Sequence, residues 1–457
     1  MSGKRLTRRE FLYALGGAAA GTALAGCSPA APQVVRETVE VQVESVVEVE
    51  KEVEVERVVT ATPGPAEDVE IMYTTWRPLP EQELVSRMVE ESFNETHPNI
   101  SVQVIGAAYG EYHAKIVTMA AAGTPLDVIH TNSLWLAAWT HEGLLVDLTP
   151  FLETSDIGDE SKYWPGVFRF VEYGAGRFSL PFAISVMALY YNTDIFDEVG
   201  YEYPNESWGP EGMLDAAQAF VDAGYLGNMK YSYTNTEWLI SWLGGKMTDD
   251  DWAPTRCALT EPEAIAAMEW GANWNSTGAV TEDGTEFYQK RAAMQLMWGS
   301  QVVPNRMNMQ DDNWDLFPTT LLSSIPIEEQ HPKLGMHTQS IGAATRHLEA
   351  SWSFLEWLYT GYQPIWAREQ GYAVPCLKDV ALSDDYLRAD LPPKNMRALV
   401  DMVDGKDLRP YYNHRTFEEA MGYCFPEWDQ VLNGHTSASE AHERLCPLID
   451  QLLAEDA

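Results

Sequence analysis

VEIMYTTWRPLPEQELVSRMVEESFNETHPNISVQVIG, residues 69–106, changes its hydrophobic period twice, and that change decides the fold. Residues 70–74 read as a short strand. Residues 81–95 then carry Leu84, Val85, Met88, Val89 and Phe93 along one helical stripe, and Ile100, Val102 and Val104 return to the alternation of a strand. The pattern continues downstream. Residues 112–122 predict a helix closed by Gly123 and Pro125, residues 127–130 a third strand, and residues 134–142 a helix with Gly143 as its C-cap. Three strand–helix units in series predict an α/β fold in which helices cover a mostly parallel sheet. Ligands of such sheets bind beyond the carboxyl ends of the strands. Thr75, Trp76 and Arg77 follow the first strand; Thr131, Asn132 and Ser133 follow the third.

The whole chain has 457 residues, enough for two or three domains. Hydrophobic residues at 45% and charged residues at 21% exclude a chain disordered throughout. Lys and Arg total 30 against 68 Asp and Glu, so the formal charge is -38, which argues against nucleic acid or anionic lipid as a partner. The charge divides into +3 for residues 1–35, -7 for residues 36–68 and -34 for the rest, so the acidity belongs to the globular body. Sixteen Trp is a heavy complement of a side chain suited to stacking on ligands.

The N-terminus reads as an address. Lys4, Arg5, Arg8 and Arg9 precede an uncharged run over residues 11–25 that is too short to span a bilayer as a helix. TRREFL (residues 7–12) resembles the twin-arginine export signal, and LAGC (residues 24–27) resembles the lipobox of prokaryotic lipoproteins, which implies lipidation at Cys27 and an extracytoplasmic, membrane-anchored protein. Residues 28–68 form a low-complexity linker in which Val alternates with mostly acidic neighbours. A flexible, solvated acidic stalk is expected, ending at Pro63, Gly64 and Pro65, with a coiled coil as the rival. Beyond Cys27, Cys257, Cys376, Cys424 and Cys446 show no CxxC spacing; they allow up to two disulfides in three connectivities, or free buried thiols.

AAGTPLDV (residues 121–128), Trp135 and GLLVDLT (residues 143–149) resemble the extracellular solute-binding proteins of carbohydrate-uptake ABC transporters, the maltose-binding protein family. The resemblance continues in order through LPFA (180–183), ALYYNTDIF (188–196), AAM (292–294), Gly299 and Ser300, IGA (341–343), FLEW (354–357), QGY (370–372) and LNG (432–434). It implies a type II periplasmic-binding-protein fold of two α/β lobes. Lobe 1 would span residues 69–180, lobe 2 residues 181–340, a return to lobe 1 residues 341–375, and a C-terminal part of lobe 2 residues 376–457. Hinge crossings would lie near 178–185 and 335–341. It further implies a monomer with no cofactor, no metal and no enzymatic activity, whose partners are a carbohydrate and the permease subunits of a transporter. Relatives often carry Trp shortly after the Gly-Ser near residue 300, where Gln301 stands here with Trp298 before it. Pro447 should kink the last helix, whose start Ser437 and Glu440 suit a capping box.

A sugar has apolar C–H faces that pack on flat rings and hydroxyls that must be met by hydrogen bonds once buried. Trp76, Arg77, Tyr109, Asn132, Ser133 and Trp135 are expected to face the cleft from lobe 1, and Phe182 and Ser185 from the hinge. Glu237, Trp238 and Trp298 are expected from lobe 2, with Tyr372 opposite them. Trp270, Trp352 and Trp357 lie on helical stripes and are assigned to core packing.

The main rival is a secreted glycoside hydrolase, which would hold two carboxylates at a fixed separation. Adjacent pairs such as Glu328 and Glu329, or Asp384 and Asp385, arise by chance among so many acids. Gly244, Gly245 and Lys246 lack the rest of a phosphate loop, His141 and Glu142 meet Leu145 where a zinc protease needs a second His, and no GxSxG occurs. A second rival keeps the fold and changes the solute to a polyamine or iron. Tyr190 and Tyr191 cannot chelate together, because neighbours on a strand point to opposite faces.

Overall fold

The computed structural model describes residues 67–76, 79–277, 285–309 and 313–455. The export signal, Cys27, all of the stalk up to residue 66, and Arg77 lie outside the described residues.

The opening units form as their periodicity requires. Strand β1 (Val69–Thr75) leads to helix α1 (Leu79–Met88), which buries Leu84, Val85 and Met88 and continues through a π turn, Val89–Phe93. Strand β2 (Ile100–Gly106) leads to α2 (Tyr109–Ala121), which buries Tyr112 and Ile116, four residues apart on one face. Strand β3 (Val128–Asn132) runs directly into α3 (Ser133–His141). Asn132 caps that helix, its Oδ1 accepting from the Leu134 N–H at 3.0 Å. Gly143 closes it in the left-handed conformation, φ +69°.

Further along, a short hairpin of β4 (Glu172–Tyr173) and β5 (Gly176–Arg177) precedes β6 (Leu180–Ser185) and β7 (Met187–Asn192). Strand β8 (Leu226–Asn228) is followed by helix α4 (Thr236–Trp242), β9 (Ala292–Trp298), β10 (Trp314–Pro318), β11 (Gly335–Ile341) and β12 (Val374–Pro375). Two long helices, α5 (Phe417–Leu432) and α6 (Ala438–Ala454), finish the chain. The Ser437–Glu440 capping box is formed, and α6 continues through Pro447 to Ala454.

Besides the β4–β5 hairpin, the described residues form two larger sheets, one in each lobe. The six-stranded sheet has the order β12-β6-β11-β3-β1-β2 and the four-stranded sheet β10-β7-β9-β8. The sheet expected to be mostly parallel is mixed. Strands β2, β1 and β3 are parallel, whereas β11 pairs antiparallel with both β3 and β6, and β12 pairs antiparallel with β6. The reason is topological: β6, β11 and β12 flank excursions of the chain into the other lobe, so they are not joined to their neighbours by right-handed βαβ crossovers.

The sheets exchange at a single residue. Ser185 ends β6 in one sheet and Met187 opens β7 in the other, so only Val186 lies between them. Strand β6 therefore stays with lobe 1, five residues beyond the boundary expected at residue 180. The chain comes back between Pro318 and Gly335. The return to lobe 1 extends past residue 375, because the short helices Lys378–Ala381 and Asp384–Leu387 still pack against Gln363–Glu369. Gly299 is required at the junction: a Cβ there would lie 2.6 Å from the Tyr372 carbonyl oxygen.

One disulfide, Cys257–Cys446, fastens α6 within lobe 2, and Cys376 and Cys424 are buried free thiols. Trp270 and Trp357 are buried, and half-buried Trp352 stacks on Phe151 at 4.9 Å.

Candidate functional site

Strands β1 and β3 end side by side, and the residues that follow them meet. The Trp76 indole stacks on His130, ring centroids 3.8 Å apart and planes 22° from parallel. Its edges meet Tyr112 at 5.3 Å, Trp135 at 5.3 Å and Tyr109 at 5.7 Å, and His337 of β11 lies 5.5 Å away. These centroid separations are those of favourable aromatic pairs. Polar groups hold the cluster in register. Thr75 Oγ1 lies 2.9 Å from His130 Nδ1, Ser185 Oγ lies 2.6 Å from His337 Nε2, and Asn132 Nδ2 donates to the Tyr109 hydroxyl at 3.3 Å.

Lobe 2 answers with carboxylates. The Trp135 Nε1–H donates to Glu418 Oε1 at 2.5 Å, tying α3 of lobe 1 to the first turn of α5. Glu237, in the first turn of α4, is only 6% exposed. Burial, reinforced by the Glu418 carboxylate, pushes its pKa up to about 8. Tyr109 keeps 49% of its surface accessible, yet desolvation, then Glu418 and Glu237, raise its hydroxyl pKa well beyond the ordinary range. Accessible but walled in by both lobes is the condition of a residue in a cleft. Burial and then Glu237 and Tyr109 raise the pKa of the Tyr411 hydroxyl in turn.

The expected residues therefore divide. Trp76, Tyr109, Asn132, Trp135 and Ser185 come together from lobe 1 and the hinge, and the Glu237 carboxylate lies near enough to raise the Tyr109 hydroxyl pKa. Phe182 does not join them: its ring is 2% exposed and packs on Tyr359 and Trp366 behind the sheet. The Ser133 hydroxyl accepts the Met336 N–H and so braces α3 against β11. The Tyr372 hydroxyl donates to the buried Glu81 carboxylate at 2.9 Å, though its ring edge still approaches His337 at 6.3 Å. Trp238 is 6% exposed, stacks on Trp242 at 5.1 Å and lines a cavity of about 50 Å³ beside Val186 and Leu334. Trp298 sits at the hinge, its Nε1–H held by Asn235 Oδ1 at 2.8 Å. The second and third Trp plates expected from lobe 2 are thus absent from the cluster, because β9 and α4 turn them toward the hinge and the lobe interior.

Four members escaped the sequence reading: His130, His337, Glu418 and Tyr411. His130 had a signal, since it lies two residues before Asn132 on the same face of a strand. Glu418 and Tyr411 had none, being brought in by the third passage between the lobes.

Glu237 supplies a test of this geometry. Below pH 4.5 its carboxyl is protonated whether the chain is folded or not. Between 4.5 and about 8 only the folded chain keeps the proton, so stability falls as pH rises through that window. Glu237→Gln should abolish this slope: its melting temperature relative to the parent rises from the lower end of the window to the upper. Parallel melting curves for the two proteins would place the carboxyl in solvent.

Residues 77–360 match the family model described as bacterial extracellular solute-binding protein. An Escherichia coli K12 protein described as an ABC transporter periplasmic-binding protein is 26% identical over 152 residues, 33% of this chain. The match spans 34% of that relative, about a third of its length. Among solved structures, an ABC substrate-binding protein of Listeria monocytogenes in complex with cycloalternan superposes with a TM-score of 0.72 at 20% identity, covering 84% of this chain and 99% of that one. A Thermotoga lettingae solute-binding protein bound with alpha-D-tagatose gives 0.72 at 19% identity, covering 85% and 100%.

Proposed function

Because the chain belongs to the bacterial extracellular solute-binding protein family, we propose that it is the substrate-binding component of an ABC importer. In this reading it captures a sugar between its lobes and presents it to membrane permease subunits. The observation that carries the reading is the aromatic group of Trp76, Tyr109 and Trp135 on lobe 1, set against Glu237 and Glu418 on lobe 2. Flat rings match the C–H faces of a sugar ring, and carboxylates with Asn132 and Ser185 at the edges match its hydroxyls. The fold family's solved members named above carry cycloalternan and alpha-D-tagatose, which supports the same class of solute here.

The mechanism is a shift between open and closed lobes, the hinge motion of periplasmic binding proteins. A ligand touching both lobes favours the closed state by its differential contacts, and the transporter reads that state. Val186 is the shortest of the crossings and so the natural pivot. No bond is broken. Outside the lobes, the reading includes export by the twin-arginine route, a lipid anchor on Cys27, residues 28–68 as the spacer, and a monomer.

Isothermal titration of the full chain against mono- and oligosaccharides tests the solute. At least one sugar should bind with micromolar or better affinity, and a reducing-sugar assay on the same panel should show no turnover. Turnover above background would transfer the protein to the hydrolases, and acyl labelling that misses Cys27 would remove the anchor.

A further inference from the structure

We propose that Trp252 is a closure latch: lobe 2 carries it, lobe 1 receives it, and its contacts help set the balance between open and closed lobes. The inference rests on the hinge-closure reading above and adds a positioning residue to it. Trp252 belongs to lobe 2 by its connections. The turn that presents it is closed by the bridge between Thr248 and Cys257, and Cys257 is bonded to α6 through Cys446. Its ring nevertheless packs on lobe 1, at the helical turn Val167–Val171 that lies against β6. The Arg169 guanidinium sits over the indole, 4.0 Å from the ring centroid, and the buried Phe170 ring meets it edge-on at 5.1 Å. A guanidinium on an indole face and a perpendicular aromatic pair are both attractive arrangements.

The turn is built to present that ring. Asp249 Oδ1 accepts the N–H groups of Asp250, Thr255 and Arg256, and Asp250 Oδ1 accepts those of Trp252 and Ala253. Asp251 pairs with Lys333, which stands two residues before β11 in the return crossing; their side chains are 14% and 7% exposed. The three acids therefore form a stiff mount fastened to the hinge.

The contact is placed to break and re-form as the lobes move. Asn413 Nδ2 donates to the Trp252 carbonyl at 3.3 Å, so the turn travels with the segment that leads into α5. That segment reaches lobe 1 at two further points. Arg415 Nη1 donates to His141 Nε2 at 3.4 Å, and Glu418 accepts from Trp135 at 2.5 Å. One interlobe seam thus runs from the ring cluster along α3, which packs on Val167–Val171, to Trp252. An opening that parts Glu418 from Trp135 also parts Trp252 from Phe170. The energetics suit a reversible contact. The Trp252 Nε1–H is buried with no acceptor among the described residues, whereas water meets it in the open state. Closing therefore trades one desolvated donor against two ring contacts.

Small-angle X-ray scattering of the full chain without sugar tests the latch on Trp252→Ala and Arg169→Ala, with circular dichroism to check folding. Each variant should have a larger radius of gyration than the parent, and the double variant should be no larger than either. Each should also bind whichever of glucose, maltose, maltotriose and alpha-D-tagatose the parent binds about ten-fold more weakly, through faster dissociation. Arg169 is exposed, so if Trp252→Ala fails to fold, Arg169→Ala decides alone. Scattering and affinity equal to the parent's in Arg169→Ala would overturn the latch, as would additive effects of the two substitutions. A parent that binds none of the four sugars would count against the sugar reading, and the scattering would still decide the latch.

Discussion

Replacing Cys257 and Cys446 together by serine is expected to lower the unfolding free energy by about 5 kcal/mol, the chain-entropy value for a closed loop of this size. The two residues are 189 apart in sequence. The loop they close contains strands of both sheets, β9 and β10 of one and β11 and β12 of the other, so the bond restricts the unfolded ensemble of about half of the body at once. In the folded state it pins α6, with Asp450 Oδ1 on the same helix accepting the Cys257 N–H at 2.6 Å. Urea unfolding under oxidising conditions measures the difference. Dithiothreitol should bring the parent down to the variant and leave the variant unchanged. A variant within about 1 kcal/mol of the parent would mean that the entropic account fails for this loop.

Trp76→Ala should have a double effect: a loss of about 3–5 kcal/mol in stability, typical of deleting a buried Trp, and loss of measurable solute binding. The residue is 7% exposed and touches His130, Tyr109, Tyr112, Trp135 and His337, so truncation opens a cavity at the centre of the cluster. From sequence Trp76 reads as a cleft residue; its burial shows that it also packs the fold. Trp76→Phe separates the two roles, since a smaller ring restores part of the packing while shrinking the plate offered to ligand. If Trp76→Phe keeps full affinity while its melting temperature falls, Trp76 belongs to the core and the sugar-facing surface passes to Tyr109.

Much of this architecture could be read from residues near one another in the chain. The alternation at Ile100, Val102 and Val104, the stripe from Leu84 to Phe93, Gly143 as a C-cap and Ser437 with Glu440 as a capping box are local facts of periodicity and hydrogen-bond supply, and each element formed where expected. The parallel half of the large sheet follows from those elements. Its antiparallel half does not, because β6, β11 and β12 take their direction from where the chain re-enters the lobe. The meeting of Trp76, Asn132 and Trp135 was equally legible, since they follow strands whose ends are adjacent. Trp238 and Trp298 lie apart from that cluster for the complementary reason: nothing in a local pattern tells which side of a short helix or strand end faces another lobe.

Sequence by itself determined the α/β class, the acidic body and the aromatic residues after β1 and β3, since each depends on composition or on contacts within a few turns of chain; the two lobes came from the resemblance to a family. Tertiary structure alone decided which carboxylates oppose those rings. Glu237 and Glu418 are 181 residues apart, and Glu237 acquires its raised pKa only when the fold buries it and brings the Glu418 carboxylate near.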